Sequence, residues 1–220
     1  MAISASDVKS LREKTGAGMM DCKKALAETD GDYAAATIWL REKGMASASK
    51  RDGKTASEGA ISSYIHMGGK IGVLAEINCE TDFVARGEEF QALCKDICLQ
   101  ICSTAPRWIR REEVPQEIID AEMDIYRTQA LESGKPEKIL DKIAEGKLRK
   151  FYEDTCLLEQ KFVKESKVTV EDMVKALSGK IGEKIEVRRF ARFQLGDGIE
   201  KEVTDFAKEV ADAVAASQGD

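Results

Sequence analysis

Apolar residues recur with helical spacing at the start of the chain and predict three short helices. We expect Ser6 to cap the first helix, and the second to begin near Met19, after a glycine-containing break. The third follows Asp32, its expected cap, and ends at Gly44, because glycine is common where helices stop. The pattern predicts a small three-helix domain at residues 1–45.

The pattern changes from helical to alternating after a polar, basic segment at residues 46–57, which we interpret as a linker. Residues 59–79 predict a β-hairpin: the segments AISSYIHM and KIGVLAEINC flank Gly68 and Gly69, the second segment alternates, and two adjacent glycines permit a tight turn. Helical spacing returns in residues 86–103 and predicts a helix whose apolar face belongs to the core.

The next two apolar seams, within residues 116–151, predict a pair of helices packed as an antiparallel hairpin. Gly134 is expected to end the first of these helices, and Pro136 is suited to start the second. A short helix at residues 169–178 and a strand at residues 184–195 follow.

The last strand loses its alternation at Arg189, and we expect a β-bulge there. An apolar stripe beyond it predicts a C-terminal helical extension at residues 199–220. The predicted fold class is therefore α+β. A small three-helix domain precedes a core, residues 58–198, that contains an antiparallel sheet, packed helices and the helical hairpin at 116–151.

Composition narrows the classes of partner. The chain of 220 residues is 34% charged and 6% aromatic, with a net charge of −6. No apolar run approaches the roughly 18 residues of a membrane span, and the start lacks the apolar region of a signal peptide. We expect a cytoplasmic protein with no membrane partner. Because no basic stripe is visible, direct nucleic-acid binding is not expected either.

Six cysteines raise the question of a metal or disulfides. Cys94, Cys98 and Cys102 fall at i, i+4 and i+8 on one face of the predicted helix, so the outer two lie roughly 12 Å apart. One zinc ion needs its thiolates at about 2.3 Å, so it cannot hold all three. We interpret them as buried, reduced, structural cysteines and expect no metal or other cofactor.

Catalytic patterns are weak. Residues 48–55, ASKRDGKT, match a relaxed phosphate-loop pattern, but they follow a predicted helix and lead into a strand, whereas that loop needs a strand before and a helix after. The single histidine, His66, has no recognisable nucleophile and acid to form a triad. The residues favour a binding module over an enzyme. A generic adaptor and a nucleotide hydrolase built on residues 48–55 are the alternatives.

One stretch is unusual for the connection between a strand and a helix. Residues 78–86, NCETDFVAR, place Phe83 beside Asp82 at a turn that is expected to face water. A phenylalanine exposed there would fit a cleft in another protein, since burying such a side chain is worth roughly 1.5 to 3 kcal/mol. The alternative is that Phe83 folds back into its own core.

Six stretches together resemble one family, and they cover most of the chain in that family's order: LREKTGAGMMDCKKAL, WLREKG, GKIGVLAEINCETDFVAR, PRWIRREEVP, GKPEKILDKIAEGKLRKFYEDTCLLEQKFV and VRRFARFQLGDGIEKEV. The family is that of the bacterial translation elongation factors Ts, the guanine-nucleotide exchange factors of elongation factor Tu. The resemblance implies a ubiquitin-associated-like N-terminal domain that rests on the partner's GTPase domain, and a C-terminal helix that also touches the partner.

The resemblance also implies which residues act. Thr81, Asp82, Phe83 and Val84 would form the element that reaches the partner's magnesium and nucleotide site and dislocates the magnesium. The implied function is to promote GDP release and stabilise the nucleotide-free partner, without covalent chemistry. The middle of the chain is shorter than in long family members, which insert a larger helical coiled-coil module. A homodimer within a 2:2 complex with elongation factor Tu is an arrangement that the resemblance leaves open.

Overall fold

The structure is a computed structural model that describes residues 3–51 and 53–199. Its helices, in chain order, are α1 (Ala5–Thr15), α2 (Met19–Glu28), α3 (Tyr33–Ser49), α4 (Asp82–Ala85), α5 (Glu88–Thr104), α6 (Gln116–Glu132), α7 (Leu140–Thr155) and α8 (Val170–Ile181). Its strands are β1 (Glu58–Ile65), β2 (Ile71–Cys79), β3 (Lys161–Phe162), β4 (Glu165–Thr169) and β5 (Ile185–Gln194). The predicted α+β class is confirmed.

The three N-terminal helices enclose an apolar cluster of their own, distinct from the main core. Its buried members are Val8, Leu11, Cys22, Ala25, Leu26, Ala36 and Leu40. Asp32 caps α3 as predicted, because its carboxylate accepts the N–H groups of Ala34 and Ala35 at 2.8 and 3.1 Å. The helical pattern of the first residues therefore reports a real packing unit.

The cap of α1 is Ser4, so the prediction of Ser6 is wrong. The Ser4 hydroxyl accepts the N–H of Asp7 at 3.1 Å, and the Asp7 carboxylate accepts the N–H of Ser4 at 3.0 Å. This reciprocal pair is a capping box, which satisfies two amides of the first turn at once. Ser6 lies inside that turn, where it cannot precede the helix.

α3 continues five residues beyond Gly44, to Ser49, so the predicted helix end at Gly44 is wrong and the start predicted for the linker, residue 46, lies inside the helix. Gly44 lies against Gly179 of α8. A Cβ added to Gly179 would overlap the carbonyl group of Gly44. Gly44 therefore allows α3 and α8 to cross at close distance and does not end α3. The division into a domain and a linker stays a prediction.

β1, β2 and β5 form an antiparallel sheet in the order β1-β2-β5, with β2 in the centre. The predicted hairpin is confirmed, and Gly68 and Gly69 have φ angles of 84° and 68° in its turn. Such positive φ angles are open to glycine at little steric cost. The turn therefore fixes the register of β1 against β2.

β5 bulges where the sequence loses its alternation. Val187 pairs with Ile77, and the next pair along the ladder is Arg189 with Glu76, which leaves Arg188 without a partner of its own. Arg188 Nη1 and Arg189 Nε both donate to the Glu76 carboxylate, at 2.7 and 2.6 Å. These bonds, that from Arg188 first, hold the pKa of Glu76 below its usual value. The predicted bulge is confirmed.

α5 and α8 cover one face of this sheet and build the main core. Its largest fully buried side chains include Phe90, Ile97 and Ile101 of α5. Cys94 and Cys98 are buried there as predicted, and burial raises the pKa of Cys94 to about 12 and also raises the pKa of Cys98. A thiol whose pKa is raised in this way is protonated and unreactive at neutral pH.

α6 and α7 pack against each other as the predicted helical hairpin. A two-stranded sheet, β3-β4, follows it and was not predicted. The buried Gln100 of α5 ties this sheet to the core, because its Nε2 donates to the Lys161 carbonyl at 3.1 Å and its Oε1 accepts the Val163 N–H at 2.9 Å. Beyond Ile199, the predicted C-terminal extension lies outside the described residues.

No helix within residues 3–51 and 53–199 has both the length and the apolarity that crossing a membrane requires.

The α3–α8 crossing yields a stability prediction. Gly179→Ala should lower the free energy of unfolding by roughly 1 to 3 kcal/mol, because the added methyl group meets the backbone of α3. The control is Gly146→Ala in α7, where a Cβ meets nothing within 4 Å. There the better helix propensity of alanine should stabilise the protein by up to about 1 kcal/mol. Urea denaturation measures both, and a stabilised Gly179→Ala protein would contradict the crossing.

The buried cysteines yield a second prediction. Cys98 Sγ lies 3.5 Å from the Ser62 carbonyl oxygen, so a serine hydroxyl at position 98 would keep an acceptor. At position 94 the hydroxyl would enter the apolar core, where an unsatisfied group costs roughly 1 to 3 kcal/mol. Cys94→Ser should therefore shift the denaturation midpoint more than Cys98→Ser does. The reverse ranking would refute this assignment.

Candidate functional site

The exposed turn (residues 81–86) follows the central strand β2 and contains one turn of helix, α4, instead of the simple turn that was predicted. Thr81 is extended and caps this helix, since its Oγ1 accepts the N–H of Val84 at 3.4 Å. The N–H of Arg86 donates to the Asp82 carbonyl at 3.2 Å. These bonds give the turn a defined backbone conformation.

Neighbouring residues of the exposed turn point in opposite directions. Val84 and Ala85 belong to the main core and are only 8% and 7% exposed. Phe83 is 81% exposed, the second most exposed of the large apolar side chains in the described residues. The structure thus decides between the two predicted positions of Phe83: its ring faces water and does not fold back into its own core.

Asp82 is the charged group beside that ring. Its carboxylate pairs with the Arg86 guanidinium one helical turn later, and both side chains are mostly exposed. An exposed ion pair of this kind contributes little to stability and is screened by salt. Asp82 can therefore exchange its partner for a group on another protein at small cost.

Two carboxylates anchor the base of the exposed turn. Glu183 Oε1 accepts the Thr81 hydroxyl at 2.7 Å, and Glu183 Oε2 accepts the Thr81 N–H at 3.1 Å. Glu80 Oε1 accepts the N–H of Lys184 at 2.7 Å and Nη1 of Arg51 at 3.2 Å. The Lys184 hydrogen bond is the main reason that the pKa of Glu80 lies below its usual value.

Sequence reasoning missed both anchors. Glu183 is 102 residues from Thr81, so no local pattern joins them. The one available signal was their position, because Glu80 directly follows β2 and Glu183 lies two residues beyond α8. Acidic side chains at the end of an element commonly accept hydrogen bonds from free backbone amides.

A second exposed surface, also missed, is the outer sheet face, which we define by Ile61, Ile65, Leu74 and Phe193. These side chains are 48% to 72% exposed. The strand register aligns Ile65 of β1 with Gly72 of β2 and Phe193 of β5 in one row. The signal in the sequence was a β1 segment that carries apolar residues on both faces, whereas a half-solvated strand alternates.

The other sites suggested by the sequence do not bring together the side chains that a metal site, a catalytic triad or a phosphate loop needs in the described residues. Within the described parts of the chain, no three His, Cys, Asp or Glu side chains are grouped to hold a metal ion. His66 is exposed after β1, and its Nδ1 lies 3.2 Å from the Tyr64 hydroxyl. Residues 48–55 begin in the last turn of α3 and lie before β1, which is the reverse of the strand-loop-helix order of a phosphate loop.

Comparison with known proteins assigns the family. The family model described as "Elongation factor TS" matches residues 34–197. A protein named elongation factor Ts from Desulforamulus reducens is 57% identical over 214 residues, which is 97% of this chain and 99% of the relative. The chain belongs to the elongation factor Ts family.

Further members of the elongation factor Ts family also match this chain over nearly its full length. The protein of that name from Geobacter metallireducens is 57% identical over 213 residues, covering 97% of this chain and 99% of the relative. The one from Anaeromyxobacter sp. is 58% identical over 211 residues, 96% of each chain. The family match contains the exposed turn and the outer sheet face. The elongation factor Ts family places this protein in translation elongation.

Proposed function

We propose that this protein is the guanine-nucleotide exchange factor of elongation factor Tu and acts in the cytoplasm. It binds that partner, promotes GDP release and stabilises the nucleotide-free state. The observation that carries the proposal is the 81% exposure of Phe83 on a turn whose next two residues, Val84 and Ala85, are buried. A fixed, exposed aromatic ring is suited to enter a cleft of another protein.

Each of the four site residues has a separate role in this proposal. Phe83 enters the partner as an apolar wedge, and Asp82 supplies a negative charge or hydrogen-bond acceptor. Together they displace the elements that hold the partner's magnesium. Thr81 caps the turn and Val84 anchors it in the core, which keeps the other two side chains in place.

The mechanism needs no bond to be made or broken in this protein, and no cofactor. A factor that prefers the nucleotide-free partner over the nucleotide-bound partner weakens nucleotide binding by the same factor. About 1.4 kcal/mol of such coupling changes affinity tenfold. Exchange is then faster because it passes through a ternary complex of this protein, the partner and the nucleotide. The ring of Phe83 is more favourably placed in that complex than in water, where it lies in the free protein.

We place the N-terminal helices, residues 1–45, on the partner's GTPase domain as a docking unit. The support is their separate apolar cluster and the partly exposed side chains of Met19, Met20 and Ile38, which lie on α2 and α3. The predicted C-terminal extension supplies a further contact. A generic adaptor would show the same separate unit, but it would not accelerate nucleotide release.

The exchange assay follows fluorescent GDP as it leaves elongation factor Tu, with and without this protein. Phe83→Ala should slow the stimulated release roughly tenfold or more, since truncating a central aromatic anchor commonly costs about 2 kcal/mol. The matched control is Ile125→Ala, an exposed apolar residue of α6 that should leave the rate unchanged. Asp82→Ala should also slow release, and the double variant should show less than the summed effect.

Removing magnesium tests the same mechanism. With a chelator present, the deficit of Phe83→Ala should largely disappear, because the ion that the exposed turn helps to displace is already gone. If Phe83→Ala exchanges as fast as wild type in the presence of magnesium, the wedge mechanism is wrong. If the wild-type protein does not accelerate release at all, the exchange function is wrong.

We also propose that two copies associate through the outer sheet face within a 2:2 complex with elongation factor Tu. Exposed apolar side chains on three adjacent strands form a surface that a second copy can match around a twofold axis. Three strands of about eight residues offer roughly 27 Å by 14 Å, about 400 Å² on each copy. A stable interface uses about 800 Å² on each partner, so we expect the free dimer to be weak.

Molecular mass measured by light scattering tests this assembly. The wild-type complex with elongation factor Tu should have the mass of two copies of each protein. Phe193→Glu should reduce that mass to one copy of each, because a charge would be buried in the apolar surface. Ile125→Glu on α6 is the control and should retain the larger complex. A wild-type complex with a 1:1 mass would overturn the dimer without affecting the exchange assay.

A further inference from the structure

Thr81 and Glu183 form the contact that joins the exposed turn to the end of α8. Both polar groups of Thr81 take part, since its hydroxyl and its N–H each donate to a different oxygen of the Glu183 carboxylate, at 2.7 and 3.1 Å. A carboxylate that accepts two bonds from one residue restrains orientation as well as distance. Thr81 is also the cap of α4, so this carboxylate fixes the residue from which the helix starts.

The backbone of Glu183 is held in turn by α8. Gly182 ends that helix with a φ of 82°, and its N–H donates to the Ser178 carbonyl at 2.8 Å. The Ser178 hydroxyl donates to the Glu183 carbonyl at 2.6 Å. Ser178 itself is buried, so these bonds place Glu183 on a rigid support.

A reciprocal contact lies next to the first one. Glu80, the residue before Thr81, accepts the N–H of Lys184, the residue after Glu183, at 2.7 Å. We call the two contacts together the carboxylate clasp (residues 80–81 and 183–184). Each segment contributes one carboxylate and one backbone N–H, so the two segments hold each other in a single relative position.

We infer that Glu183 is a positioning residue for nucleotide exchange, acting through Thr81 on the exposed turn. The inference rests on the proposed exchange function. A helix of four residues does not hold its shape by its own hydrogen bonds. The ring of Phe83 makes little contact with its own core, so its direction depends on the backbone beneath it. Val84 and Ala85 secure that backbone at one end and the carboxylate clasp secures it at the other.

The first experiment compares Glu183→Ala with Glu183→Gln in the GDP-release assay, over a range of concentrations of this protein. Glu183→Ala removes both acceptors and should lower the plateau rate about fivefold or more. Glu183→Gln keeps one acceptor oxygen and should recover part of that loss. Glu145→Ala, an exposed glutamate of α7, is the matched control and should retain the wild-type plateau.

The concentration dependence separates positioning from loss of folded protein. Partial unfolding lowers the active fraction, which raises the concentration for half-maximal rate and leaves the plateau unchanged. Loss of positioning lowers the plateau, because bound molecules present Phe83 in a less productive direction. Hydrogen exchange of the amides in residues 82–86 provides a second readout and should become faster in Glu183→Ala.

A double-variant cycle tests whether Glu183 acts through Thr81. Thr81→Val removes the hydroxyl and keeps the shape of the side chain. If the inference holds, Glu183→Ala combined with Thr81→Val slows release by less than the two separate effects added together, because both variants remove the hydrogen bond between the Thr81 hydroxyl and the Glu183 carboxylate. Effects that add in full would show that Glu183 acts elsewhere, and would overturn the inference.

The outcomes distinguish the two levels of proposal. If wild type accelerates release and Phe83→Ala is slow, but Glu183→Ala matches wild type in both plateau and hydrogen exchange, then the positioning role is wrong and the exchange function stands. If wild type does not accelerate release, both are wrong. A slow Glu183→Ala plateau with partial recovery in Glu183→Gln supports the positioning role.

Discussion

Burial of the inner face of β2 against α5 is the packing interaction on which the rest of the structure depends. Val73, Ala75, Ile77 and Cys79 alternate along this central strand and are each at most 3% exposed. Because successive side chains of a strand point to opposite faces, a slip of one residue would bring Glu76 into the core. The register is therefore fixed by the burial of these apolar side chains as well as by the hydrogen bonds between strands. Since β2 ends only two residues before Thr81, that register also fixes where the exposed turn begins.

The other face of β2 does not pack against an apolar core in the described residues. Glu76 lies on that outer side, and the bulge in β5 brings two arginines, Arg188 and Arg189, to its carboxylate. Without the bulge, only one of them would lie beside it, because neighbouring residues of a regular strand point apart. The charge is thus compensated locally, and the apolar part of the outer sheet face is left at the other end of the strands. That separation suits the surface to burial by another apolar surface.

The sequence predicts the elements well where one local pattern decides them and poorly where a distant residue decides. The β1-β2 hairpin, the helix with Cys94 and Cys98, and the bulge next to Arg189 all follow from spacing within a few residues. The role of Gly44 could not be predicted, because its neighbour Gly179 is 135 positions away and glycine can serve either to end a helix or to permit close packing. A strand of two residues, such as β3, gives too short a pattern to recognise.

The candidate site divides in the same way. The motif around Asp82 and Phe83 was visible, and the structure confirms that the ring is exposed. The carboxylate clasp was invisible, since Glu80 and Glu183 look like ordinary surface glutamates until the fold brings residues 80–81 and 183–184 together. A motif shows which side chains are presented. Only the folded chain shows what keeps them in place.

The contrast between the exposed Phe83 and its buried neighbour Val84 explains why such support would matter for the proposed exchange function. An exposed phenylalanine adds nothing to the stability of its own fold, so the full free energy of burying its ring is available to the partner complex. Ordering a mobile segment on binding would consume part of it, whereas a turn that is already fixed loses little entropy. In an exchange factor only the difference in affinity between the nucleotide-free and nucleotide-bound partner accelerates release. In the proposed mechanism a fixed turn favours that difference, because it would hold the ring in a direction that suits the displaced conformation of the partner better than the original one.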